Sequence, residues 1–296
     1  MRLTLSACPP FSLHAVINSH GWVQLPPFAT DPQSESLIRT ERLATGRVVE
    51  LRIREAMGGV NVEVRERLTG REREEASRKV WWMLGLGEDL SSFYAAIESE
   101  PQLHHIRSRA MGRILRSPTV FEDVVKTILT TNTSWSGTIR MVKALVAEFG
   151  DPLPTDPSRH VFPTPAQIAA ASEEELRQIG LGYRAPFVHT LASRTMAGDL
   201  KLESFKRNAM PTPEMYHQLL EIKGIGKYAA ASLLMLLGRF DYVPVDSWAR
   251  KLVSQEWYEG EPVGREEVER AFERWGSWKG LVYWFWNWSH IKDGEQ

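Results

Sequence analysis

The stretch from Pro213 to Lys251, PEMYHQLLEIKGIGKYAAASLLMLLGRFDYVPVDSWARK, limits what this chain can fold into more than any other. Gly224 and Gly226 interrupt two apolar runs, so neither one strand nor one continuous helix can carry through. The pattern predicts a helix, a tight glycine hairpin, a second helix and a short loop ending at Asp246. Thr212 is the expected N-cap of the first helix, with Pro213 at its first position, where a missing N–H costs nothing. Leu219, Leu220 and Ile222 give that helix an apolar side. Tyr228 to Phe240 forms the second, with Leu233, Leu234, Leu236 and Leu237 for burial. Backbone N–H groups presented at the start of a helix form a ready phosphate site.

The rest of the chain divides by pattern. Residues 1 to about 66 read as β-rich: Val49, Leu51 and Ile53 alternate with polar residues, Gly58-Gly59 makes a turn, and Val60, Val62 and Val64 alternate again. Phe11 to Phe28 and Leu37 to Thr45 are candidates for further strands of a small antiparallel sheet. The charged run Arg65–Lys79 reads as a turn and a solvated helix face. Helices follow, over Glu74–Leu84 and Leu90–Ser99, then after Ser117-Pro118 with Val120, Phe121, Val124, Val125, Ile128 and Leu129 on one face. A polar break at Thr130–Ser134 precedes a helix ending at Phe149, and Asp151–His160 is a proline-bearing loop. Thr164-Pro165 starts a short helix, and Ser172 with Glu175 makes a capping box for another that ends at Gly180. The expected division is a β-rich domain (1–98) followed by a helical domain (99–296).

The chain has 296 residues, enough for a full core and two domains. Its 36 basic and 37 acidic side chains rule out a globally basic molecule, so a nucleic-acid surface would have to be a local patch. One cysteine, Cys8, excludes an internal disulfide and any cysteine-built zinc or iron–sulfur site, which suits a reducing cytoplasm. No stretch reaches the ~20 apolar residues that cross a bilayer, and no signal peptide is recognisable. Eleven tryptophans are present. They crowd toward the C-terminal end, where Trp284 and Trp288 would share one helical face and Leu281 and Phe285 another.

The hairpin LLEIKGIGKYAA followed by VPVD resembles the helix–hairpin–helix DNA glycosylase superfamily, with its glycine-rich loop and terminal aspartate. SPTVFEDVVKTILTTNTS and GLGYRAPFV extend the resemblance over nearly the whole chain. The layout looks most like the bacterial 3-methyladenine and 8-oxoguanine glycosylase branches. That implies an α+β fold, a small N-terminal antiparallel sheet domain followed by an all-helical glycosylase domain. It also implies double-stranded damaged DNA as partner, a monomer, no membrane, and a cytoplasmic place on the nucleoid.

The resemblance assigns roles by position. Asp246 would be the catalytic carboxylate, stabilising positive charge on the sugar as the base departs and orienting the water. As a plain N-cap it would also favour its ionised form, so the two readings are compatible. Strand-cutting members carry a lysine where this chain has Tyr228. A phenol cannot form an imine, so a hydrolase without lyase activity is implied. Tyr228 would then be a wall of the base pocket, and Trp284 another, its electron-rich face suited to a cationic alkylated purine; packing on the core is the alternative for each. A base flipped from the duplex leaves a gap. Asn132 matches the gap-filling position, and Tyr183 with Arg184 the wedge and the phosphate- or partner-base contact; a capping Asn and an ordinary turn are the alternatives. Lys223, Gly224, Gly226 and Lys227 would hold DNA phosphate. The carbonyls of Leu220, Ile222 and Ile225 would hold a monovalent cation, sodium or potassium, and no iron–sulfur cluster or other cofactor is expected.

Three functions therefore stand: removal of an alkylated purine, removal of 8-oxoguanine or of thymine or uracil from mismatches, and DNA binding through the hairpin without catalysis. Asp246 argues against the last, because a mere binder has no need of an anion beside the phosphates.

Overall fold

A computed structural model describes residues 1–207 and 209–286. The fold is α+β, an N-terminal five-stranded antiparallel sheet followed by helices. In chain order its elements are β1 (Arg2–Ser6), α1 (Leu13–Ile17), β2 (Phe28–Asp31), β3 (Ser36–Arg42), β4 (Val48–Ala56), β5 (Gly59–Glu63), α2 (Gly70–Met83), α3 (Ser91–Ala96) and α4 (His104–Ser108). Then come α5 (Val120–Thr130), α6 (Trp135–Phe149), β6 (Pro152–Leu153), β7 (Asp156–His160), α7 (Pro165–Ala170), α8 (Glu173–Leu176) and α9 (Ala185–Ala197). The last are α10 (Thr212–Leu220), α11 (Lys227–Leu236), α12 (Ser247–Trp257), α13 (Arg265–Phe272) and α14 (Lys279–Trp284).

By contacts the chain divides into two compact units, one of residues 1–88 and 113–208, the other of 89–112 and 209–296. The 98/99 boundary expected from sequence is a division by element type, strands before helices, whereas this one is a division by packing.

In the first unit the sheet runs β1-β5-β4-β3-β2. Alternation does what it predicted: Val49, Leu51, Ile53, Val60 and Val62 are fully buried. Register sets Leu37 opposite Ile53 and Arg39 opposite Leu51, so Arg39 lies on the same buried face. A buried guanidinium demands anions. Glu122 of α5 supplies one, accepting from Nη1 at 2.8 Å and Nη2 at 2.6 Å, and Glu41 accepts from Nε at 2.9 Å. Lys126, one turn along α5 and 0% exposed, donates to Glu122 at 2.7 Å. Both cations lie near the Phe28 ring, at 4.6 and 5.0 Å from its centroid. This cluster pins α5 to the sheet.

Several expectations need correction. The segment Phe11–Phe28 is not a strand: the Ser12 hydroxyl caps the N–H of Ala15 and starts α1, a short 3-10 turn follows at 21–24, and only Phe28 enters the sheet. The first strand is instead β1, paired with β5. The charged run is a turn and a helix, yet not wholly solvated. Glu72 is buried in a capping box with Thr69, and Lys79 bonds Glu41 at 2.8 Å. The proline-bearing loop contains a small hairpin, β6–β7. Helix α10 begins one residue early, with Pro211 as N-cap, because the Thr212 hydroxyl donates to Asp241 instead of capping. Among the described residues no helix is long and apolar enough to cross a membrane.

Candidate functional site

In the second unit α10 and α11 are joined by the expected hairpin. Gly224 has φ +90°, a conformation that side chains resist. The Ile225 N–H donates to Ile222 O at 3.0 Å and closes the turn. Gly226 is different: its φ of −94° suits any residue, and a Cβ there would meet nothing within 4 Å. It stands as N-cap of α11, and no side chain caps the first N–H groups of that helix. Lys223 and Lys227 flank the turn and are exposed. Glycine at 224 thus serves the turn, whereas the backbone at 226 does not require glycine.

Helix α11 begins at Lys227, so Tyr228 sits in its first turn, half-buried. After α11 the chain passes through buried Val243 and Val245 to Asp246, the N-cap of α12. Its Oδ1 accepts from the Ala249 N–H at 2.8 Å and from the Tyr283 hydroxyl at 3.3 Å. Burial pushes the Asp246 carboxyl above its ordinary value; these two donors and the N–H groups of the cap pull the other way without cancelling it. Tyr228 is raised by burial and then by the Asp246 charge. Tyr283 is raised by burial, by the Asp246 and Tyr228 charges, and by the bond it donates. All three thus share one electrostatic environment, a carboxylate flanked by two phenols that stay protonated. Tyr283 is held by an edge contact with Phe272, at 5.6 Å between centroids and 82° between planes.

Tyr283 was not singled out by sequence reasoning, which saw only an aromatic-rich helix; the bond to Asp246 spans 37 positions and has no local signature. Trp284, expected in the pocket wall, ends α14 and is half-buried, while Leu281 and Phe285 are core. Trp288, its expected helical neighbour, lies outside the described residues. Among the described residues no group of three or more His, Cys, Asp or Glu could hold a metal ion.

In the first unit Asn132, Tyr183 and Arg184 come together. Helix α5 ends at Thr130, and Asn132 turns the chain with φ +48°. Glycines at 180 (φ +92°) and 182 (φ +57°, ψ −132°) fold the segment before α9 so that Tyr183 and Arg184 reach that turn. The Tyr183 hydroxyl donates to Thr131 O at 3.3 Å and accepts from Asn132 Nδ2 at 3.4 Å. Tyr183, expected as the wedge, is 52% exposed. Arg184, expected to reach a phosphate or partner base, is turned inward instead and is 7% exposed. Its Nε donates to Thr131 O at 3.1 Å and its Nη2 to Asn132 O at 3.1 Å, and the guanidinium lies 4.4 Å over the Tyr183 ring. Here it holds the loop that carries Asn132, because two carbonyls left by the end of α5 need donors.

The profile of the HhH-GPD superfamily of base excision DNA repair proteins matches residues 125–277. The "probable N-glycosylase/DNA lyase" of Methanothermobacter thermautotrophicus is 26% identical over 197 residues, 60% of this chain and 62% of its own length. The chain therefore spans about three fifths of that relative. Among solved structures, a 3-methyladenine DNA glycosylase from Archaeoglobus fulgidus superposes with a TM-score of 0.76 and 25% identity, over 97% of this chain and 98% of that one. The 8-oxoguanine glycosylase/lyase of Clostridium acetobutylicum gives 0.72 and 20% identity over 93% and 92%, a likeness of fold alone.

Proposed function

The chain belongs to the HhH-GPD superfamily of base excision DNA repair proteins, and from that premise we propose that it is a monofunctional DNA glycosylase. It would act as a monomer on damaged double-stranded DNA, flipping out an alkylated purine and hydrolysing its N-glycosidic bond to leave an abasic site. One observation carries the reading: a helix-capping carboxylate, Asp246, lies beside a tyrosine at the position where strand-cutting relatives hold their lysine. As the base departs, positive charge develops on the sugar, and the Asp246 anion stabilises it and orients the attacking water. Tyr228 offers no amine for a Schiff base, so hydrolysis is the route left to this site.

DNA would be held where backbone N–H groups and charge coincide, at Gly224, Gly226, Lys223 and Lys227. The open space around Gly226 supports a close approach by phosphate. Carbonyls of Leu220, Ile222 and Ile225 would hold a monovalent cation on that turn; Ile222 O accepts one N–H and keeps a lone pair. Asn132 would fill the vacated space, Tyr183 would wedge the duplex, and Trp284 with Tyr228 would face the flipped base.

Base release from a panel of duplexes carrying 3-methyladenine, hypoxanthine, 8-oxoguanine, uracil and a G·T mismatch tests this directly. Release of the alkylated base, with strand breaks only after alkali and no borohydride-trapped adduct, is expected. Asp246→Asn should lower release by at least about a hundredfold while duplex binding persists; undiminished release in that variant overturns the assignment. A second reading, 8-oxoguanine as substrate, is favoured by the left-handed Asn132 held by Tyr183 and Arg184, and the same panel decides it.

A further inference from the structure

Two bonds to Asp246, from Ala249 N–H at 2.8 Å and from Tyr283 O–H at 3.3 Å, end on the same oxygen, Oδ1. A carboxylate fixed twice through one oxygen cannot rotate about its Cβ–Cγ bond without breaking both contacts. Its second oxygen, Oδ2, is the one that neither donor holds. The two donors differ in origin. The Ala249 N–H belongs to α12 itself and would accompany any capping aspartate. The Tyr283 hydroxyl comes from α14 and has no part in starting α12. Its ring is fixed by the edge contact with Phe272, and Phe272 in turn meets Trp275 at 5.7 Å, Trp257 at 5.5 Å and Trp286 at 5.8 Å. The aromatic cluster near the C-terminal end thus holds one phenol whose hydroxyl donates to the carboxylate.

We infer that Tyr283 is a positioning residue for Asp246, clamping Oδ1 so that Oδ2 is the oxygen presented to the reacting sugar and water. The inference rests on the glycosylase reading for what Oδ2 does, though not for the clamp itself. It gives the C-terminal aromatic cluster a task beyond filling a core: holding a phenol in register with a carboxylate 37 positions earlier. Tyr228, the other phenol in this environment, remains a pocket wall.

The test uses the full-length protein and replaces Tyr283 by Phe, which keeps the ring on Phe272 and removes only the donor. A hydrogen bond to the ionised form lowers a carboxyl pKa, so its loss raises it. The Asp246 carboxyl, assigned by its absence in Asp246→Asn, is titrated by carbon-13 NMR without DNA. Its midpoint should move up by about half a pH unit or more in Tyr283→Phe. In single-turnover base release the acid limb should move up by the same amount, with a severalfold lower plateau. Tyr94→Phe is the control: it removes another buried phenol donor of the same unit, bonded to Met111 O at 2.7 Å, and should leave the Asp246 midpoint where it was. Should Tyr283→Phe fold poorly, 3-fluorotyrosine at position 283 keeps the shape and strengthens the donor, and the midpoint should then move down. An Asp246 midpoint identical in wild type and in both variants overturns the clamp. A shifted midpoint with no base released from any duplex overturns the glycosylase reading and leaves the tyrosine–aspartate contact standing.

Discussion

Asp246 and Asn132 are single residues whose backbone states carry as much meaning as their side chains. Asp246 was legible because an aspartate before an amphipathic run is a capping signal, and the hairpin upstream pointed to a second, catalytic role for it. Its phenolic partner was not legible, since nothing in a run of aromatic residues says which one points its polar atom inward. Asn132 holds φ +48°, a region where L residues other than Asn and Gly pay for the Cβ. Replacing it by Ala should destabilise the first unit by about 1 kcal/mol, and replacing it by Gly should cost less, measured by urea unfolding. If Ala is tolerated as well as Gly, the turn is not strained and Asn132 is there for its amide alone.

At the scale of elements, α5 is the piece on which the Asn132 turn of the first unit depends. Its apolar face was readable from Val120 to Leu129 because helical spacing shows in the sequence. Its polar anchors were not, because a Glu122 and a Lys126 one turn apart look like a surface pair. They are buried because β3 sends Arg39 to the same place. Glu122→Gln should therefore destabilise by about 3–5 kcal/mol, since two buried cations lose their shared anion. The Arg39 and Lys126 charges hold the Glu122 carboxyl near about 2, against 4.5 ordinarily, even though burial opposes them. Its contribution is present above the ordinary carboxylate range and drains away as the pH falls toward 2. Unfolding measured from pH 7 to pH 2 should show this acid loss in wild type and a flatter profile in Glu122→Gln. A variant as stable and as acid-sensitive as wild type would contradict the assignment.

At the scale of the molecule, a formal net charge of −1 leaves no general attraction to DNA. Binding would then come from a few local contacts, and the exposed Lys223 and Lys227 of the hairpin are the proposed ones. Lys223→Ala with Lys227→Ala should weaken duplex binding and reduce the slope of log affinity against log salt by about 2. An unchanged slope places the phosphates elsewhere. The order of the fold, strands then helices, could be read from period alone, because alternation and helical spacing are local. The compact units could not, since residues 89–112 pack with the C-terminal helices rather than with their neighbours in sequence. The Arg39 cluster has one consequence for how such a chain can change over time. Because β3 and α5 each supply half of a neutral set, neither half can drift alone. A sheet borrowed from a chain with an apolar residue at position 39 would take two of its hydrogen bonds from the buried Glu122 and leave it Lys126 alone, so the two segments should be inherited, or grafted, only as a pair.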